Sequence, residues 1–110
     1  MKTAVLSILV FLLASCATTE NYRKILDSWI GHPVDELINA WGYPTGDFEI
    51  PKGNKVYRWE KRGLGISYKS VDSHWISDKY ELWCNTYFEV DKNNIIVGYR
   101  FEGNDCISYR

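Results

Sequence analysis

YELWCNTYFEVDKNNIIVGYRFE, residues 80–102, decides the fold. Two runs rich in β-branched and aromatic side chains, 80–90 and 95–102, flank Asp91-Lys92-Asn93-Asn94, whose asparagines tolerate the positive φ of a tight turn. That pattern predicts an antiparallel hairpin. With Val90 opposite Ile95, or one step further opposite Val97, one face carries Leu82, Cys84, Phe88 and Val90 together with Ile95, Val97, Tyr99 and Phe101. Both registers put Cys84 on the core side and turn Trp83 away from it.

Working back from the hairpin, residues 55–62 read as a third strand, with Val56, Arg58 and Glu60 on one face and Tyr57 and Trp59 on the other. Pro51-Lys52-Gly53-Asn54 marks a turn before it, and Phe48 and Ile50 form a weak strand or extended lead-in. Gly63-Leu64-Gly65 is expected to end the strand. Residues 64–79 show no clear period and predict a long loop or a poorly ordered strand extension, holding Tyr68, Val71 and Trp75 as isolated large groups. Further back the period changes to 3.6. Tyr22, Ile25, Leu26, Trp29 and Ile30 line one helical face behind the N-capping hydroxyls of Thr18 and Thr19, and Gly31 closes that helix. A second helix over 33–41 sets Val34, Leu37, Ile38 and Trp41 on one side and is stopped by Gly42-Tyr43-Pro44. The expected architecture is α+β: two N-terminal helices packed on a three-stranded antiparallel sheet, in the order ααβββ.

The N-terminus adds a compartment. Lys2 precedes an apolar run over 4–14, too short for the roughly 20 residues that span a bilayer core. Leu13-Ala14-Ser15-Cys16 at its end resembles a bacterial lipobox. The resemblance implies that residues 1–15 are a lipoprotein signal peptide, that Cys16 is the lipidation site and first mature residue, and that 16–110 form a single periplasmic domain. An ordinary signal peptide cut after Ala17 is the alternative, since Ser15-Cys16-Ala17 also presents small side chains. Several acyl chains on one residue hold a protein firmly on its membrane. Lipoprotein sorting reads the next residue, and Ala17 in place of aspartate favours the periplasmic face of the outer membrane. With Cys16 assigned to lipid, Cys84 and Cys106 remain as one pair in an oxidising compartment. Gly103-Asn104-Asp105 lets the chain bend so that Cys106 returns beside Cys84. A disulfide closing a loop of about 20 residues stabilises by roughly 3 kcal/mol.

Composition excludes several classes. Losing Lys2, the one charged residue among 1–15, takes the formal net charge from −1 to −2, which leaves no basic footprint for nucleic acid. Five Trp and eight Tyr allow a small core to be filled by few residues. No catalytic set converges. His32 suits a structural cap at the second helix, and Asp72-x-His74 lacks a third metal ligand. Gly63-x-Gly65 is a turn and not a phosphate loop, and Cys84 is better explained as half of a disulfide than as a nucleophile. The expectation is a protein that is not an enzyme and has no catalytic residue, metal, cofactor or small-molecule substrate. Tyr68, Trp75 and Trp83, which do not fit the inner face, are the candidate partner-binding residues.

Trp29-Ile30-Gly31, Glu36-Leu37-Ile38, Trp41-Gly42-Tyr43-Pro44, Tyr57-Arg58-Trp59 and the run from Cys84 through Phe88 and Val90-Asp91 to Gly103-Asn104-x-Cys106 resemble the small outer-membrane lipoproteins of the SmpA/OmlA (BamE-like) family. The resemblance covers most of residues 16–110. It implies a lipid-anchored periplasmic binding or scaffold module that contacts another envelope protein and assists outer-membrane protein assembly or envelope integrity. The ααβββ order also resembles that of β-lactamase inhibitor proteins, which implies the alternative of an inhibitor-like module for a periplasmic enzyme.

Overall fold

Both helices form where the 3.6 period places them. The computed structural model describes residues 17–110, so the signal peptide and Cys16 lie outside the described residues. Helix α1 (Thr19–Trp29) starts behind extended Thr18, whose hydroxyl accepts the Asn21 amide at 3.0 Å, and buries Leu26 completely. Gly31, at φ 88°, turns the chain into α2 (Val34–Trp41), which buries Val34 and Leu37 and ends at Gly42, also left-handed. The junction is sewn to the end of the sheet: the Gly31 amide donates to Ile96 O at 2.8 Å, Ile96 N donates to His32 O at 2.9 Å, and Val34 N donates to Asn94 O at 2.8 Å.

The sheet corrects the expected three strands. It has four, β1 (Gly46–Glu49), β2 (Lys55–Val71), β3 (His74–Val90) and β4 (Ile96–Gly103), antiparallel and in that spatial order. The additional strand β1 pairs Gly46 with Arg58 through to Glu49 with Lys55. It has one apolar residue, Phe48, so its pairing comes from the edge that β2 offers and not from any period of its own. Of the two readings of 64–79, a loop or a strand extension, the structure has the strand extension, and it is regular. β2 and β3 run for 17 residues each and meet in a two-residue turn at Asp72-Ser73, whose φ values of 49° and 65° are those of a type I′ hairpin. Gly63-Leu64-Gly65 does not stop the strand. Gly65 lies opposite Tyr80, whose ring sits 2.2 Å from where a Cβ would be, so glycine there makes room for its cross-strand neighbour.

The β3–β4 hairpin takes neither expected register. Val90 pairs with Ile96 and Glu89 with Gly98, leaving Val97 in a bulge. The extra residue shifts the alternation, so Ile96 is buried and Val97 is exposed while Tyr99 and Phe101 stay on the inner face. The core gathers Leu26, Val34, Leu37, Trp59, Phe88, Val90 and Ile96 between helices and sheet. Trp41, Trp59 and Phe88 meet edge to face with centroids 5.6–6.0 Å apart, the favoured geometry for aromatic packing. Trp59 Nε1 also donates to Gly42 O at 3.0 Å, which satisfies the indole and fixes the end of α2.

Past β4 the chain folds back as the sequence predicts. Gly103 is at φ 140°, and a side chain there would meet Trp83 O at 2.3 Å. Cys106 is bonded to Cys84, with Cα atoms 5.1 Å apart and a sequence separation of 22. Two residues on, Ser108 pairs with Thr18 through hydrogen bonds of 2.9 and 3.1 Å. The entry of the chain into α1 is therefore tied to the tail that the disulfide holds.

Candidate partner-binding arm

Two side chains mark where the sheet becomes a two-stranded arm. On the β1 side, Thr45 Oγ1 accepts the Glu60 amide at 3.0 Å. On the β4 side, Asn104 Oδ1 accepts the Trp83 amide and its Nδ2 donates to Glu81 O, both at 2.9 Å. Each group imitates one more residue of a missing strand. Beyond them β2 and β3 continue together from Arg62↔Trp83 to Val71↔His74, a ribbon of about 30 Å at roughly 3.4 Å per residue.

Strand alternation sorts the arm into two faces. One continues the helix-free face of the sheet and carries Arg62, Leu64, Ile66, Tyr68 and Ser70 on β2 opposite Trp83, Glu81, Lys79, Ser77 and Trp75 on β3. All three residues singled out from the sequence lie on this face. Trp75 is 75% exposed, Tyr68 66% and Trp83 39%. The sequence reading missed Leu64 and Ile66, which share the face at 70% and 51% exposure. Their alternation with Tyr68 was a usable signal, hidden by reading Gly63-Leu64-Gly65 as a stop. The opposite face is less apolar, with Gly63, Gly65, Ser67, Lys69 and Asp78 among Leu82, Tyr80, Ile76 and Val71.

At the base of the arm the apolar face opens into a cleft of about 690 Å³ lined by Glu60, Arg62, Leu64, Glu81, Trp83 and Asn85. Glu60 is held by Arg62 Nε and, at 3.3 Å, by Arg58 Nη1. The Arg62 hydrogen bond, aided by the charges of Arg62 and Arg58, keeps its carboxyl below the ordinary carboxylate range. Asn85 Oδ1 is buried without a hydrogen-bond partner. The cleft has an anchored charge and apolar walls and contains no nucleophile paired with a base.

A second, smaller recess lies on the helix side, where Tyr22, Trp41, Trp59 and Lys61 surround the disulfide and Thr86. The Cys84 sulfur has no proton once bonded, so the Thr86 hydroxyl, 3.6 Å away, donates to it and accepts from the Tyr22 hydroxyl at 2.6 Å. Burial raises the Tyr22 phenol above its ordinary pKa. His32 does not cap backbone amides; Nδ1 meets Glu36 Oε2 at 2.9 Å. His74 sits beside the arm's turn, and among the described residues no group of three or more His, Cys, Asp or Glu could hold a metal ion. No described helix is long and apolar enough to cross a membrane. Searches among protein-family models, curated proteins and solved structures found no match to the chain.

Proposed function

We propose that this chain is a lipid-anchored binding or scaffold module of the outer membrane's periplasmic face, without enzymatic activity, whose arm engages another envelope protein. The family reading from the sequence, a BamE-like lipoprotein that assists outer-membrane protein assembly or envelope integrity, belongs to this proposal. The observation that carries it is the gathering of Leu64, Ile66, Tyr68, Trp75 and Trp83 on one exposed face of the arm. Apolar side chains concentrated on one solvent-exposed face mark interaction surfaces, and tryptophan and tyrosine are enriched among the residues that dominate binding energy. A narrow arm with Trp75 beside its turn also suits insertion into a concave enzyme cleft, which keeps the inhibitor-like module as a second reading.

Crosslinking and pull-down of the full chain from membranes tests both readings. A component of the outer-membrane assembly machinery supports the first and a soluble hydrolase the second. Trp75→Ala and Trp83→Ala are each expected to weaken capture about thirtyfold, equivalent to roughly 2 kcal/mol, with the fold intact. Full capture by both variants removes the arm face as the binding surface. Cys16→Ser is expected to block fatty-acid labelling and release the chain from membranes; labelling that persists rejects the anchor.

A further inference from the structure

The two edges of the arm differ. Residues 60, 81 and 83 direct backbone groups sideways, to Thr45 and Asn104, so ladder alternation directs those of Arg62, Leu64, Ile66, Tyr68 and Ser70 out from β2 and those of Lys79, Ser77 and Trp75 out from β3. No strand flanks these positions among the described residues. The β3 edge is guarded in the usual way, by Lys79 and Glu81 and by the Asn104 clamp. The β2 edge has no such guard from 63 to 68, where Gly-Leu-Gly-Ile-Ser-Tyr contains neither charge nor proline. A two-stranded ribbon is marginal by itself in water and gains most from another strand.

We propose that the β2 edges of two copies of this chain pair antiparallel about a two-fold axis at Ile66, joining two arms into one four-stranded ribbon. Use of the whole edge together with charge selects this arrangement, because a two-fold one step further along, at Ser67, would set Arg62 beside the turn residue Asp72 and leave only four outward positions paired. The five outward positions are centred on Ile66, so Leu64 of each copy lies opposite Tyr68 of the other and Arg62 opposite Ser70. Between them Lys69 falls opposite Gly63 and Lys61 opposite Val71, so no like charges face each other over residues 61–71. Sliding to Leu64 opposite Ile66 would set Lys61 against Lys69, and in-register parallel pairing would set Arg62 beside Arg62 and Lys69 beside Lys69; like charges in such positions are destabilising. Edge pairing uses backbone groups and leaves the broad face of Tyr68, Trp75 and Trp83 open, so self-association and partner capture can fail separately.

The test places single cysteines in the full chain, oxidises its membranes and compares non-reducing gels with the parent protein. Opposed residues of a hydrogen-bonded pair have Cα atoms about 5.5 Å apart, inside the disulfide range of about 4.4–6.8 Å. Ile66→Cys should therefore crosslink to itself. Leu64→Cys and Tyr68→Cys should crosslink only when the two variants are expressed together, and Lys79→Cys should stay monomeric. In sedimentation of the detergent-extracted chain, Ile66→Lys should weaken self-association about tenfold or more, while the variant still unfolds in one cooperative thermal transition. An Ile66→Cys protein that stays monomeric, crosslinking through Lys79→Cys in its place, or a chain that sediments as a monomer overturns the proposal even if partner capture is retained.

Discussion

The body and the arm are built from the same two strands and are held by different physics. In the body, β2 and β3 are flanked by β1 and β4, covered by two helices and clamped by the Cys84–Cys106 bond. In the arm the same strands continue with an open edge on each side and large apolar groups in solvent. Backbone pairing is shared, so the difference lies in what side chains bury. The body's aromatic residues stabilise the fold, whereas those of the arm are available for binding.

The sharpest way to break that comparison is to truncate one large side chain in each region. Phe88 is fully buried and meets Trp41, Trp59 and Tyr99. Phe88→Ala should lower stability by about 3–5 kcal/mol in urea denaturation. Leu64→Ala, measured on dilute protein, should stay within about 0.5 kcal/mol of the parent. Comparable losses at both sites would mean that the arm is part of the cooperative core.

The disulfide lies at the border between the regions and sharpens the contrast. Replacing Cys84 and Cys106 together with alanine should lower stability by about 2–5 kcal/mol. It should also loosen the tail that carries Asp105, whose carboxylate meets Lys61 at 3.2 Å and whose amide donates to Trp83 O at 3.0 Å. Hydrogen exchange should quicken around Thr18, Trp83 and Ser108 and change little at the arm's turn. A change confined to the turn would contradict the placement of the bond.

The same division governed what could be read in advance. Both helices were legible because Leu26, Val34 and Leu37 face a core and so leave a 3.6 period, and the cysteine pair was legible because a bend precedes Cys106. The arm was legible only as one of two alternatives, because Gly63 and Gly65 read as a stop and hid the alternation of Leu64, Ile66 and Tyr68, and Asp72-Ser73 is a less familiar type I′ turn than Asn-Gly. Strand β1, with a single apolar residue, showed only as a weak strand or extended lead-in around Phe48 and Ile50. The β4 register failed for the opposite reason: Ile95-Ile96-Val97 are all apolar, so nothing marked which of them faces inward once Val97 bulges. Of the candidate site, Tyr68, Trp75 and Trp83 were found as residues unsuited to the core, while their common face became visible only once the hairpin was known.

The smallest expected effect tests a single buried phenol in the body. Tyr22 packs against Phe101, donates to Thr86 and is held above its ordinary pKa of 10.0 chiefly by burial. A phenol whose folded pKa exceeds its unfolded one binds its proton more tightly when folded, so its contribution is fully present below the unfolded pKa and is lost as pH rises through the folded one. Stability should therefore fall between about pH 9 and pH 11. Tyr99, raised first by its hydrogen bond to Asp27, and Tyr87, raised first by desolvation, contribute with the same sign. Tyr22→Phe should start less stable by about 1 kcal/mol, since Thr86 loses its donor, and should then lose less on going to high pH. Urea denaturation of both proteins at the two pH values gives the difference of differences. Equal losses in parent and variant would show that the Tyr22 phenol ionises as freely in the folded chain as in the unfolded one, and that the recess beside the disulfide is open to water.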